Sequence, residues 1–273
     1  KNIISNKAKG NSNISQQLYQ MYFFEHILDR ISKSKYKHNI ILKGGLLLSS
    51  VIGNDERTTK DMDASLKSIV LEKETVKNIM EEILHIETND EITYEIIDIK
   101  DIRQESEYGG FKLNILAKMQ TVKVYLAIEF TTGDTITPKE IEYNYHSLFE
   151  DRKIPILAYT IETVIAEKFE AIISRNIYNT RMKDFYDIYV LITEKKATID
   201  LVNMKQAIKN TFKNRKTDLN VLDINMELEQ MKESNYLKEL WKKYNLTAPY
   251  SNRISFEEIF EALYFIVKTL YEK

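Results

Sequence analysis

Hydrophobic and polar positions along this 273-residue chain change period in a way that divides it. From about residue 11 to 37, Leu18, Met21, Tyr22, Ile27, Leu28 and Ile31 recur at helical spacing, which predicts an amphipathic helix. NIIL (39–42) reads as a short apolar strand, and Gly44 and Gly45 then open a helix that runs to about Ile52. Residues 58–66, TTKDMDASL, alternate polar with apolar and predict a second strand from Asp61 to Leu66. A charged amphipathic helix over about 72–87 precedes three strand candidates: 92–102, FKLNILAKM after the Gly109-Gly110 break, and VKVYLAIEF at 122–130. In the last of these Val122, Val124, Leu126 and Ile128 face one way and Lys123, Tyr125, Ala127 and Glu129 the other. TTGDTITP reads as turn chemistry. Beyond Pro155 the pattern is helical to the end, with breaks near 176–180 and 247–252. The expected fold class is therefore α+β: a domain over residues 1–157 with a mixed sheet and flanking helices, then an all-helical domain over 158–273.

Composition narrows the setting. Hydrophobic residues make up 43% and charged residues 29% of the chain, ordinary for a globular protein. No apolar run approaches the length of a membrane span, and there is no cysteine to build disulfides or thiolate metal sites. A cytoplasmic protein with no membrane partner is expected. A formal net charge of −2 argues against indiscriminate coating of nucleic acid. One local basic run, KQAIKNTFKNRK (205–216), sets Lys205, Lys209 and Lys213 on one helix face. That face reads either as a solvated surface or as a guide for a specific RNA.

The candidate chemistry begins at Asp61 and Asp63. On a strand both carboxylates share a face with Ser65 and Lys67, while Met62, Ala64 and Leu66 take the other. Two adjacent carboxylates repel unless a cation lies between them, and a divalent metal resolves the conflict. The preceding strand–Gly-Gly–helix reads as a phosphate cradle beside that metal site. Glu129 ends a strand on its polar face and, in the same sheet, is a candidate third ligand. In the helical half, Lys168 interrupts the stripe formed by Ile161, Val164, Ile165, Phe169 and Ile172. Asp184 falls in register with Ile188 and Leu191, and Asp187 lies farther round, at the edge. Either Lys168 and Asp184 form a partly buried salt bridge, or both line a cleft in which Lys168 meets a phosphate.

The stretches LKGGLLLSSVIGNDERTTKDMDASL, IEFTTGDTITP and ETVIAEKFEAIISR…TRMKDFYDIYVL together resemble the catalytic core of the polymerase-β-type nucleotidyltransferase fold. In finer pattern they resemble the AbiEii/AbiGii toxin family of abortive-infection nucleotidyltransferases, over about residues 15–195. The resemblance implies that Gly44 and Gly45 hold triphosphate oxygens and that Asp61, Asp63 and Glu129 bind Mg²⁺, with Mn²⁺ as an alternative. It implies that Lys168 is the lysine of the Ala-Glu-Lys helix motif and Asp184 the acidic residue of the last motif. Arg57 and Arg181 are further candidates for phosphate contact. The implied activity is transfer of a nucleoside monophosphate from an NTP to an RNA acceptor, the tRNA 3′ end being the expected one. The implied partner is a separately encoded antitoxin, expected to be a transcriptional repressor. An antibiotic-modifying enzyme of the same fold, or a degenerate binding module, are the alternatives. The wider superfamily carries Gly-Ser where this chain has Gly44-Gly45, and Glu129 replaces an aspartate there with a longer arm.

Overall fold

A computed structural model describes residues 2–53, 59–102 and 109–271. The chain divides into two compact units, Lys1–Asp134 with Glu140–Tyr159, and Thr135–Lys139 with Thr160–Lys273.

The first unit opens with helices α1 (Asn2–Ala8) and α2 (Ser12–Lys33), whose start is capped by the Asn11 side chain accepting from the Asn13 and Ile14 amides. Then follow β1 (Ile40–Lys43), α3 (Gly44–Ile52), β2 (Asp61–Leu66), α4 (Lys73–Leu84) and the strands β3 (Thr93–Ile102), β4 (Gly110–Met119), β5 (Val122–Thr131), β6 (Ile141–His146) and β7 (Lys153–Ala158). The seven strands form one mixed sheet in the order β3-β4-β5-β2-β1-β7-β6. β2 runs parallel to β5 and β1 parallel to β7; the other pairs are antiparallel. Strand alternation sends Met62, Ala64, Leu113, Ile115, Leu126 and Ile128 into the core, with Phe23, Phe24 and Ile27 of α2 and Met80 and Ile83 of α4 buried as well. Helix α2 packs against β5, β7 and α4.

The five strands predicted from the sequence are all present. Strands β6 and β7 are additional, and the second displaces the expected onset of helix at Pro155: the next helix starts at Ile161. Pro155 masks the strand signal because proline cannot donate to a ladder. It is accommodated because β7 pairs with β1 only at Leu157 and Ala158, beyond the proline, while Pro155 faces Asn144 of β6.

The second unit is helical: α5 (Ile161–Arg175), α6 (Met182–Glu194), α7 (Leu201–Asn214), α8 (Val221–Glu233), α9 (Asn235–Thr247) and α10 (Phe256–Tyr271). Apolar stripes make its core, with Phe169, Phe185, Phe212 and Phe260 fully buried. The short segment Thr135–Lys139 belongs to this unit although the sequence pattern marks it only as a turn. The Thr137 amide donates to Thr163 Oγ1 at 2.9 Å, and Thr160 Oγ1 donates to the Thr137 carbonyl at 2.8 Å. Among the described residues no helix is long and apolar enough to cross a membrane.

Candidate active site

Strand β1 delivers the chain to a turn that only glycine can make. Gly44 has φ +64°, the left-handed region that a Cβ disfavours, and a Cβ built there would lie 2.0 Å from Asp63 Oδ2. The Gly45 amide, in the first turn of α3, donates to the same oxygen at 3.4 Å. The Gly-Gly turn and the Asp63 carboxylate therefore occupy one place, at the positive end of a helix. Asp61 lies two residues earlier on the same face of β2 and accepts from Thr59 Oγ1 at 3.0 Å.

Register assembles the rest of this face. Lys43 is the cross-strand partner of Asp63, Asp63 of Glu129, and Glu129 of Lys112. Partners across a ladder point to the same side, so β1, β2, β5 and β4 present a row of charges in the order plus, minus, minus, plus. Burial pushes the Asp63 carboxyl above its usual value and the Asp61 charge adds to this, with Lys43 opposing and Glu129 reinforcing. Lys112 Nζ lies 2.9 Å from Glu129 Oε1. That hydrogen bond raises the Lys112 pKa, and the charges of Glu129, Asp61 and Asp63 act in the same direction.

At the other end of the row the Lys43 side chain is only 5% exposed and is paired with Asp134. Asp134 Oδ2 also accepts from Tyr159 OH at 2.9 Å and Thr131 Oγ1 at 3.1 Å. This cluster ties the end of β1, the residue before the Gly-Gly turn, to the chain leaving β5 and to the residue after β7.

Among the described residues no group of three or more His, Asp or Glu side chains is gathered closely enough to hold a metal ion. The donor chemistry nonetheless suits a hard divalent cation: Asp61 and Asp63 supply carboxylate oxygens from one strand face, and Glu129 is their neighbour across the ladder. Burial is the main cause of the upward push on Asp63, and the Asp61 and Glu129 charges behind it add a part that a cation would relieve.

In the helical unit Lys168 of α5 reaches two acids of α6, with Nζ 2.6 Å from Asp184 Oδ1 and 2.8 Å from Asp187 Oδ2. Arg181 Nε lies 2.8 Å from Asp184 Oδ2. The salt bridge between Lys168 and Asp184, one of the two readings of the sequence, is present, but Asp187 is not at the edge of the helix: its side chain is 0% exposed. Residues 184, 187, 188 and 191 lie at i, i+3, i+4 and i+7, so the buried stripe that contains Asp184 contains Asp187 too. Two cations and two carboxylates make this cluster self-neutralising. Thr160 caps α5 by accepting from the Thr163 amide, which fixes the register of Lys168 along it. Lys209 and Lys213 are exposed on α7, turned from the buried Met204 and Ile208, and Lys205 is half-buried at the edge of that stripe. Arg57 lies outside the described residues.

Sequence reasoning did not single out Lys43, Lys112, Asp134 or Tyr159. Lys43 could have been noticed as a lysine closing an apolar strand, whereas Lys112 and Asp134 acquire meaning only from strand register and turn geometry.

A family model described as the nucleotidyl transferase AbiEii toxin of a type IV toxin–antitoxin system matches residues 26–262. Two solved structures from Helicobacter pylori share the fold. One is JHP933, at 14% identity and TM-score 0.53 over 93% of each chain. The other, whose assignment as a nucleotidyltransferase is provisional, is 14% identical with TM-score 0.51 over 93% of this chain and 96% of its own. No curated protein sequence matches the chain.

Proposed function

Since the chain belongs to the AbiEii nucleotidyl transferase toxin family, and is thus a toxin-type nucleotidyltransferase, we propose that it transfers a nucleoside monophosphate from an NTP to an RNA 3′ end, with tRNA as the expected acceptor, in a magnesium-dependent reaction. The observation that carries this reading is the coincidence of the Gly44-Gly45 turn with Asp63, which brings helix-terminal amides and a two-carboxylate strand to one point.

Asp61 and Asp63 are the residues that hold the metal, magnesium or manganese, and Glu129 is the third carboxylate. When bound, the ion supplies charge stabilisation at the α-phosphate and the departing pyrophosphate. The turn amides, at the positive end of α3, bind triphosphate oxygens, as the N-terminus of a helix favours anions. The acceptor hydroxyl forms the new bond to the α-phosphorus as the bond to pyrophosphate breaks, and Glu129 is assigned to help take the hydroxyl proton. Lys168, oriented by Asp184, and Arg181 pair with acids of α6; their assignment to the phosphates, Lys168 as a compact point charge, comes from the sequence, as does that of Arg57. The exposed lysines of α7 guide the RNA.

The family implies an antitoxin partner. We assign that partner as a DNA-binding repressor and the pair to defence against phage by abortive infection, in the cytoplasm. Induction of the chain in cells lacking the antitoxin tests the reading. Wild type should arrest growth, and an Asp61→Asn, Asp63→Asn variant expressed to the same level should not. Equal arrest by both would remove nucleotidyl transfer as the basis of toxicity.

A further inference from the structure

We propose that Lys112 is a resident counter-cation which competes with the divalent ion for Glu129, so that the third carboxylate joins Asp61 and Asp63 only when the Lys112 ammonium withdraws. The inference rests on the metal-dependent reading above and concerns how that site is gated.

The two cations that bracket the acidic row differ in kind. Lys43 is buried, and its partner Asp134 is held by two further donors, so it is fixed in place. Lys112 is a different case. Its side chain is 34% exposed, Glu129 is 22% exposed, and they meet at 2.9 Å as directly opposed residues of β4 and β5. A pair this accessible to water is weakly held, and the lysine can swing into solvent at little cost. A divalent ion carries twice the charge of the ammonium and approaches from the Asp63 side, where Glu129 is the next residue along the row. The ladder therefore forces ammonium and metal to contend for one carboxylate, from opposite sides.

The direction of the effect follows from charge alone. Replacing Lys112 with methionine removes a positive charge from the vicinity of the ion and releases Glu129 to coordinate it. Taking the ion to lie between β2 and β5, Lys112 is roughly 7 Å away, one and a half strand spacings. One unit charge acting on a divalent ion at that distance through water-like screening changes affinity by about tenfold. A half-exposed lysine can be replaced without opening the core, so the variant should fold.

The test is Mn²⁺ binding to the full chain without nucleotide, read as loss of the free-ion paramagnetic resonance signal. Wild type is compared with Lys112→Met, Lys112→Arg, Glu129→Gln, Lys112→Met with Glu129→Gln, and Asp61→Asn with Asp63→Asn. Lys112→Met should bind more than about tenfold more tightly, the screened charge giving about tenfold and the released Glu129 the rest. Lys112→Arg should stay near wild type, and in the Glu129→Gln background Lys112→Met should gain no more than the charge effect; the full gain there overturns competition for Glu129. Unchanged or weaker binding by Lys112→Met, with binding still abolished by the paired aspartate substitutions, overturns the role of Lys112 alone. Wild-type binding that survives those aspartate substitutions overturns the metal site itself, and this inference with it.

Discussion

Replacing Gly44 with alanine separates two demands made on one residue. The first is conformational: an alanine at φ +64° carries a left-handed penalty of about 1–2 kcal/mol. The second is spatial, since the new Cβ would stand 2.0 Å from Asp63 Oδ2, 2.7 Å from its Cγ and 2.8 Å from its Cβ. Ordinary carbon–oxygen contact needs about 3.5 Å, so the Asp63 side chain must move by more than ~1 Å. A misplacement of that order at a catalytic group costs about 100-fold in rate. In stability the strain alone lowers Tm by only about 2–8 °C for a chain of this size. Gly10 is the control, because it has φ +82° and a Cβ added there would meet nothing within 4 Å. Gly10→Ala should therefore show comparable strain in thermal melts and retain full nucleotidyl transfer, while Gly44→Ala melts a few degrees low and loses about 100-fold in kcat. Full transfer by Gly44→Ala, or equal loss of transfer by Gly10→Ala, would refute the claim that the collision with Asp63 is what matters.

Three further outcomes are expected. Glu25 of α2 is 1% exposed, and burial pushes its carboxyl up to about 7 although Ser147 and the Leu148 amide donate to it. A raised carboxyl binds its proton more tightly in the folded state, so this stability is fully present below about 4.5 and is lost as pH rises to about 7. The loss is about 3 kcal/mol, and chemical denaturation across that range should show it, with Glu25→Gln flattening the dependence. Lys168→Met leaves Asp184 and Asp187 buried without their shared cation and should cost about 3–5 kcal/mol in denaturant melts; a loss below about 1 kcal/mol would show that the carboxylates find other partners. Replacing Lys205, Lys209 and Lys213 together with glutamine should weaken RNA binding and flatten its dependence on salt, leaving the melting temperature unchanged.

What the sequence makes legible here is periodic or local. The alternation around Asp61 and Asp63 identifies their shared face, and Met62 and Ala64 are indeed fully buried behind it. Lys168 stands out as a charge inside an apolar stripe, and it meets Asp184, also picked out by register. The remainder depends on pairings between distant segments. Lys112 matters because β4 places it opposite Glu129, and no local pattern records which strand lies beside which. Lys43 and Asp134 meet through a turn 91 residues away in sequence. β7 is hidden by a proline that is harmless only because the pairing with β1 begins after it. Asp187 escapes for a simpler reason: a buried stripe wide enough for Asp184 is wide enough for its i+3 neighbour.

The central claim is that the Asp61–Asp63 strand directs nucleotidyl transfer to RNA. Incubating the purified chain with total cellular RNA, Mg²⁺ and each α-³²P-labelled nucleotide in turn tests it most directly, beside the Asp61→Ala, Asp63→Ala variant. The account predicts label in a discrete RNA band of tRNA size with wild type and none with the variant. No label in RNA with any nucleotide, or equal label with the variant, would contradict it.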